Sequence, residues 1–326
     1  MNEHQSPMSP GSLDEIRIGV QRLKEQISRI VVGQETMIDL LVVALLAKGH
    51  VLIEGFPGLG KTLVAKLLAR SVDTPFTRIQ FTPDLMPSDL LGTNVYNFQS
   101  GDFTFQKGPL FSNIILIDEI NRAPAKTQSA LFEVMEERQI SLEGQRYRMA
   151  EPFLIIGTQN PVDLEGTYPL PEAQMDRFLF RIRIAYPELE EEVEILRRHQ
   201  SVHNMHRLEN VDPVLQADAL IAFQEYLPRV HAEEQLLQFI ADLVHRTRSH
   251  PDIMIGASPR ASLALMYGAK ALAVVRGRDF VTPEDIKDVA VPALNHRIVI
   301  TAEKEMEGGT VDQIIQQLLQ VTEVPR

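Results

Sequence analysis

One octapeptide constrains the fold of this chain more than any other feature. Residues 55–62 read Gly-Phe-Pro-Gly-Leu-Gly-Lys-Thr, which fits the pattern G-x-x-x-x-G-K-S/T. An apolar stretch at residues 51–54 precedes the octapeptide, and a stretch with helical periodicity at residues 63–69 follows it. In such a strand–loop–helix unit, backbone N–H groups of the loop and of the helix N-terminus point at phosphate oxygens. The sequence therefore predicts a phosphate-binding loop in an α/β domain.

The side chains of this loop match the chemistry of a bound nucleoside triphosphate. We expect the ammonium group of Lys61 to reach the β- and γ-phosphates, and the hydroxyl of Thr62 to ligate magnesium. The candidate nucleotide-binding residues of this segment are Gly55, Pro57, Gly58, Leu59, Gly60, Lys61, Thr62 and Leu63.

Composition narrows the class of protein and the kinds of partner. The 326 residues suffice for one large domain or two of ordinary size, and the hydrophobic fraction of 44% is that of a soluble globular protein. The net charge of −12 counts against non-specific binding along a nucleic-acid backbone, which needs clustered Lys and Arg. Nucleic acid is therefore not an expected partner.

Three features bear on the compartment. The longest apolar run, residues 40–47, is too short to cross a bilayer. Residues 1–12 are polar and lack the apolar core of a signal peptide, so they are predicted to form a disordered tail. The chain has no cysteine, which excludes disulfides and thiolate metal ligands. We expect a cytoplasmic protein without membrane insertion.

Strand and helix patterns alternate over the first part of the chain. Helices are predicted at residues 13–30, 35–48 and 63–69, and short apolar runs predict buried parallel strands at residues 51–54, 76–81, 114–117, 153–157 and 178–184. This alternation predicts an α/β fold, with a P-loop NTPase αβα core and a five-stranded parallel sheet over residues 13–187.

The pattern changes after residue 187, and helices dominate. They are predicted at residues 190–199, 212–225, 232–248, 258–276 and 283–295. The last of these has a clear start, with Thr282 as the cap and Pro283 at the first helical position. Residues 188–326 are therefore predicted to form a smaller, all-helical domain.

Two predicted hairpins interrupt the alternation. Residues 96–105 have alternating aromatic side chains around Ser100-Gly101-Asp102, and residues 139–148 turn at Glu143-Gly144. From the residues alone, the hairpins are either surface decoration or contact elements for a partner.

Candidate catalytic residues follow two of the predicted strands. The strand at residues 114–117 ends at Asp118 and Glu119. We expect Asp118 to complete the magnesium shell and Glu119 to polarise the water that attacks the γ-phosphate. Asn160 follows the next strand, where its amide could hold that water or the γ-phosphate.

Two arginines are candidates for stabilising a transferring phosphoryl group, because a guanidinium offers planar donors to phosphate oxygens. Arg177 precedes the last predicted strand, and Arg260 lies at the start of a helix in the second domain. Taken singly, each would more often be a surface charge.

Five motifs in order closely resemble those of the MoxR family of AAA+ ATPases. Besides residues 55–62, they are Asp-Glu-Ile-Asn-Arg-Ala-Pro at 118–124, Gly-Thr-Gln-Asn-Pro at 157–161, Pro-Glu-Ala-Gln-Met-Asp-Arg-Phe at 171–178 and Gly-Ala-Ser-Pro-Arg-Ala at 256–261. The resemblance covers nearly the whole chain, from about residue 31 to the last helices.

The resemblance implies a role for each candidate. The implied roles are Walker A for residues 55–62, Walker B for Asp118 and Glu119, sensor 1 for Asn160, an arginine finger toward the neighbouring subunit's nucleotide for Arg177, and sensor 2 for Arg260. It also implies that Gly33 and Gln34 lie near the adenine, and that the helical domain is a lid. The two hairpins would be the helix-2 insert and the pre-sensor-1 hairpin, which line the central pore of related rings.

The resemblance further implies cofactors and partners. A hexameric ring would bind ATP and Mg²⁺ at subunit interfaces and use hydrolysis to remodel or mature protein complexes, including metal insertion into enzymes. A separate protein with a von Willebrand factor A domain, or another client protein, would be the partner.

Two other functions stay open at this point. One is a nucleic-acid-dependent motor of the related helicase clade, which stimulation of hydrolysis by DNA or RNA would favour. The other is a switch in which ATP binding alone sets assembly. Glu119 beside Asp118 counts against the switch, because a binding-only protein has no need of a water-activating carboxylate.

Overall fold

Five parallel strands form the central sheet of the molecule. The computed structural model describes residues 11–98, 101–142, 144–161, 166–201 and 211–323. Numbered along the chain, the strands of this sheet are β1 (Val51–Glu54), β2 (Phe76–Gln80), β5 (Ile114–Asp118), β8 (Leu154–Gln159) and β9 (Phe180–Arg183). Their order in space is β2–β5–β8–β1–β9, and every neighbouring pair is parallel. The predicted five-stranded parallel sheet is confirmed.

Side chains alternate between the two faces of this sheet and enter two apolar cores. In β5, Ile114 and Leu116 belong to one core, and Ile115 and Ile117 belong to the other. The first core contains side chains of α1 (Leu13–Ser28), α2 (Glu35–Leu46) and α3 (Lys61–Ser71), and the second is packed by α4 (Pro87–Leu91), α5 (Ala125–Glu137) and α6 (Glu172–Met175). Because a strand points successive side chains to opposite faces, helices cover both sides and give the predicted αβα layers.

Two hairpins project from this core, as the alternating residues predict. β3 (Gly92–Asn97) pairs with β4 (Asp102–Lys107), and β6 (Gln139–Leu142) pairs with β7 (Gln145–Arg148). Of the predicted turn residues, Ser100 and Glu143 lie outside the described residues. The rings of Phe105 and Tyr147 stack with their centroids 4.6 Å apart, so the two hairpins pack against each other.

The second part of the chain is helical, but not entirely so. It contains α7 (Leu189–Ser201), α8 (Ala217–Tyr226), α9 (Glu234–Thr247), α10 (Pro259–Val275), α11 (Pro283–Leu294), α12 (Ala302–Met306) and α13 (Val311–Val321). β10 (Ile253–Ile255) and β11 (Val299–Ile300) form a small antiparallel sheet that the sequence does not predict. Strands of three and two residues are too short to carry a periodic signal. Among the described helices, none is long and apolar enough to span a bilayer.

The helical domain shares its core with the helices beneath the sheet. Leu41 of α2 and Leu265 of α10 belong to the same buried apolar cluster. The division at residue 187 stays a prediction. Residues 1–10 of the predicted tail lie outside the described part of the chain, whereas Ser12 caps α1 by accepting a hydrogen bond from the backbone N–H of Glu15.

The start of α8 differs from the prediction at residue 212. The helix begins at Ala217, after an N-cap residue, Gln216, with an extended backbone. The backbone N–H groups of Val214 and Leu215 both donate to the carbonyl oxygen of Ser71, at 2.9 and 3.1 Å. These two hydrogen bonds join the segment to the end of α3. Pro213 disfavours a helical conformation at Asp212, and Gln216 is extended, so the helix starts after these residues.

A buried arginine fastens the helical domain to the segment before β9. Arg297 is 9% exposed, and its Nε donates to Oδ1 of Asp176 at 2.6 Å. Its two terminal nitrogens donate to the carbonyl oxygens of Asp176, Phe178, Leu179 and Ala293. All of its donors are thus used, as a buried guanidinium requires.

We expect Arg297→Met to lower the free energy of unfolding by about 3–5 kcal/mol, because it leaves Asp176 without its charged partner and several carbonyl groups without donors. Urea titration followed by circular dichroism measures the change. Arg246→Met, at an exposed arginine of α9, is the control and should stay within about 0.5 kcal/mol. Equal effects of the two substitutions would contradict the importance of the buried arginine.

Candidate active site

The phosphate-binding loop joins β1 to α3 and requires glycine at two positions. Gly60 is the N-cap of α3 and has φ 80°, a left-handed conformation that is costly for residues with a side chain. Gly55 lies against Ile184, and a Cβ at Gly55 would come 2.3 Å from Cγ1 of Ile184. Because α3 begins at Lys61, its first N–H groups lie at the loop, where an anion can accept from them.

Lys61 reaches back across this loop. Its Nζ donates to the carbonyl oxygen of Gly55 at 2.5 Å. Burial lowers the pKa of Lys61, and the carboxylates of Asp118 and Glu119 oppose that shift. The two carboxylates therefore favour the charged ammonium, which is the form that binds phosphate.

The carboxyl ends of β5 and β8 bring Asp118, Glu119 and Thr158 together. The buried Asp118 accepts a hydrogen bond at Oδ1 from Oγ1 of Thr158, at 3.3 Å. The same Thr158 oxygen accepts from the backbone N–H of Glu119 at 3.1 Å. Glu119 has φ 56°, an uncommon value for a residue with a side chain and one that recurs at functional sites. Thr158 thus holds both acidic residues in a fixed relation.

Three further residues contact the carboxylates: Arg78 and Gln80, which belong to none of the motifs, and Arg122, which lies in the motif at 118–124 but has no predicted role there. Nε of Arg78 lies 2.5 Å from Oδ2 of Asp118. Nε2 of Gln80 donates to Oε2 of Glu119 at 2.9 Å, and Nε of Arg122 lies 2.8 Å from that same oxygen. Arg78 and Gln80 lie on β2, which pairs with β5 so that Gln80 stands opposite Asp118. Their spacing of two residues indicates that both side chains lie on one face of the strand. Only the strand order shows which carboxylates they contact.

These elements enclose a cavity of about 360 Å³. Its lining is Pro57, Gly58, Leu59, Gly60, Lys61, Thr62, Leu63, Arg78, Gln80, Asp118, Glu119, Thr158 and Asn160. Most of the predicted phosphate, metal and catalytic residues therefore share one cavity, at the carboxyl end of a parallel sheet where ligands of such folds bind.

A second cavity, of about 220 Å³, adjoins the first and shares Gly58, Leu59, Gly60 and Leu63 with it. Its other lining residues are Ile30, Val31, Val32, Gln34, Pro187, Ile195 and Arg198. Mostly apolar, this cavity suits a nucleoside base beside the phosphates. Gln34 is in the lining, but Gly33 is not. A Cβ at Gly33 would lie 2.6 Å from Oε1 of Glu191, so Gly33 permits close packing of α7.

Neither Arg177 nor Arg260 lines either cavity. The two arginines instead meet at Glu136 near the end of α5. Nε of Arg177 lies 3.6 Å from Oε2 of Glu136, and a terminal nitrogen of Arg260 lies 2.7 Å from Oε1. The structure therefore brings the two arginines together, but away from this subunit's own phosphate-binding loop.

Comparison with known proteins agrees with this site. Residues 50–180 match the model of the ATPase family associated with various cellular activities (AAA), and residues 245–318 match that of the AAA lid domain. Chaperone MoxR1 of Mycobacterium tuberculosis is 41% identical over 99% of this chain and 87% of its own length. The chain belongs to the MoxR family of AAA+ ATPases.

Other relatives span the same length. Protein YeaC of Bacillus subtilis is 44% identical to this MoxR-family chain, over 92% of this chain and 93% of its own. A crystal structure of a protein from Cytophaga hutchinsonii, described as a candidate ATPase, has a TM-score of 0.89 at 42% identity. The match between the two structures covers 96% of this chain and 97% of the Cytophaga hutchinsonii chain. The chain is thus an ATPase with an AAA domain followed by a helical lid.

The left-handed Gly60 gives a direct test of the loop. We expect Gly60→Ala to weaken ATP binding about tenfold or more, because the added methyl group favours a backbone conformation that moves the N–H groups away from phosphate. Titration with a fluorescent ATP analogue measures the affinity. Gly101→Ala is the matched control, since Gly101 has φ 74° and a Cβ there also meets nothing within 4 Å. Equal losses of affinity in both variants would contradict the prediction.

Proposed function

We propose that ATP binds with its phosphates in the larger cavity and its adenine in the adjoining one, together with Mg²⁺. Thr62 and Asp118 would hold the ion, because they place a hydroxyl and a carboxylate in one cavity and Mg²⁺ prefers oxygen ligands. A bound Mg²⁺ would neutralise part of the negative charge of the phosphates. The single observation that carries the proposal is this shared cavity of Lys61, Thr62, Asp118, Glu119 and Asn160.

The chain's own residues would supply positioning and proton transfer. Lys61 binds the phosphates, Glu119 accepts a proton from the attacking water, and Asn160 orients that water. Gln80 and Arg122 both contact Oε2 of Glu119. They thereby restrict the carboxylate to one orientation within the cavity, which positioned proton transfer requires.

We expect Glu119→Gln to reduce turnover by about 10²–10⁴-fold, because an amide of the same shape cannot accept the proton. ATP affinity should change less than about twofold, since the phosphate-binding groups are untouched. Phosphate release and analogue binding measure the two quantities separately. Glu225→Gln, at an exposed carboxylate of α8, is the control, and wild-type turnover by the Glu119 variant would exclude this base.

The active unit is proposed to be a homo-oligomeric ring, with six subunits as the family resemblance implies. Support comes from Arg177 and Arg260, which lie together at Glu136 and not at this subunit's own cavities. Both would act on the nucleotide of the neighbouring subunit, Arg177 as the arginine finger and Arg260 as sensor 2. Specific activity should therefore rise with protein concentration as rings form.

We expect Arg177→Ala to bind ATP normally but to lose roughly 10³-fold in turnover, because a trans arginine stabilises charge only in the transition state. Mixing this variant with Lys61→Ala should restore part of the activity, since mixed rings contain sites with an intact loop and an intact finger. Arg246→Ala, at an exposed lid arginine, should behave as wild type. Mixed rings that form without recovering activity would show that Arg177 does not act across the interface.

The work of the ring is proposed to be remodelling or maturation of protein complexes in the cytoplasm, including metal insertion into client enzymes. Support comes from the similarity to Chaperone MoxR1 of Mycobacterium tuberculosis, whose name describes it as a chaperone. A separate protein with a von Willebrand factor A domain, or another client, would be the partner. The side chains of Phe98 and Phe103 are 91% and 70% exposed on the first hairpin, which suits contact with such a partner. Stimulation of turnover by nucleic acid would contradict this function.

A further inference from the structure

Arg78 occupies a position in the phosphate cavity that no proposed catalytic role uses. It lies on β2, and its side chain is 52% exposed within the cavity lining. Its Nε is 2.5 Å from Oδ2 of Asp118, whose side chain is only 11% exposed. Within the described part of the chain, Arg78 is the ion-pair partner of Asp118.

Both oxygens of Asp118 are engaged in this arrangement. Oδ1 accepts from the hydroxyl of Thr158, which is neutral, and Oδ2 is bonded to the cationic guanidinium of Arg78. Glu119 is the next residue and brings a second negative charge to the same cavity. Glu119 has a cationic partner of its own in Arg122, at 2.8 Å. Without Arg78, the carboxylate of Asp118 would face the phosphates of a nucleotide without an ion-pair partner among the described residues.

A cation that binds Asp118 must compete with Arg78 for the carboxylate. The side chain of Arg78 can move away from Asp118, because half of it is already exposed and an arginine side chain is long and flexible. Asp118 cannot move as easily, since it is buried at the end of the central strand β5 and bonded to Thr158. The fixed carboxylate can therefore exchange one positive partner for another.

We propose that Arg78 is the counter-ion of Asp118 in the metal-free site and that Mg²⁺ replaces it. The inference rests on the proposed role of Asp118 as a metal ligand. In this arrangement Arg78 is a positioning residue that keeps the carboxylate neutralised and in place until the metal arrives. Because Arg78 neutralises Asp118, the site can also bind nucleotide without metal. The difference in affinity between metal-free and metal-bound nucleotide is therefore small.

The test compares the affinity of the full-length chain for a fluorescent ATP analogue in Mg²⁺ and in EDTA. For Arg78→Gln we expect the affinity in EDTA to fall about tenfold or more, because the uncompensated carboxylate then repels the phosphates. The affinity in Mg²⁺ should change less than about twofold, because the ion takes over the role of the arginine. Arg246→Gln, at an exposed lid position, is the control for loss of an arginine, and melting curves verify folding.

Two further variants sharpen the result. Arg78→Lys keeps the charge and should lose less affinity in EDTA than Arg78→Gln. In an Asp118→Asn background, Arg78→Gln should have no further effect in EDTA, because the charge that Arg78 neutralises is gone. If Arg78→Gln alone is unstable, comparing Asp118→Asn with the double variant Asp118→Asn/Arg78→Gln still tests the proposal.

The other possible results contradict either the counter-ion proposal or the proposed ATP site. Equal losses of affinity in Mg²⁺ and in EDTA would make Arg78 a direct phosphate ligand, and no loss in either would make it an ordinary surface charge. Either result ends the counter-ion proposal and leaves the ATP site intact. A wild-type protein that binds no analogue, either in Mg²⁺ or in EDTA, would instead contradict the proposed ATP site.

Discussion

The parallel register of the central strands is the constraint on which the site depends. Gln80 stands opposite Asp118, and Ile117 stands opposite Gly157, so that β2, β5 and β8 end at one edge of the sheet. Because the strands are parallel, the polar residues that follow them emerge at the same edge, beside the loop that follows β1. A slip of one residue would move Arg78 and Gln80 to the opposite face and abolish both contacts with the carboxylates.

Opposite charges in the protein are paired, and several of these pairs link different elements. Arg78 of β2 forms an ion pair with Asp118 of β5. The carboxylate of Asp118 also opposes the lowering of the pKa of Lys61 in α3 by burial. Outside the two cavities, Glu136 pairs with both Arg177 of the core and Arg260 of the lid. A charge that loses its partner in such partly buried places is costly, so these pairs constrain how the elements approach one another.

The lid is bound to the core next to the proposed arginine finger. Arg297 and Ser258 of the lid both bond to the carboxylate of Asp176, and Arg177 is the next residue. The buried guanidinium of Arg297 also bonds to carbonyl oxygens on either side of Arg177. A change in lid position would therefore act directly on the segment that carries Arg177, which links the two parts of the chain mechanically.

The sequence by itself determined the P-loop, the five strands and the acidic pair Asp118 and Glu119, because these depend on local patterns of glycine, apolar residues and charge. Only the tertiary structure decided the partners of those residues. Arg78 and Gln80 belong to the site because β2 lies beside β5, and the segment before α8 is joined to α3 by two hydrogen bonds to the carbonyl oxygen of Ser71. Strand order and long-range hydrogen bonds join residues far apart in the chain, and no local pattern encodes such contacts.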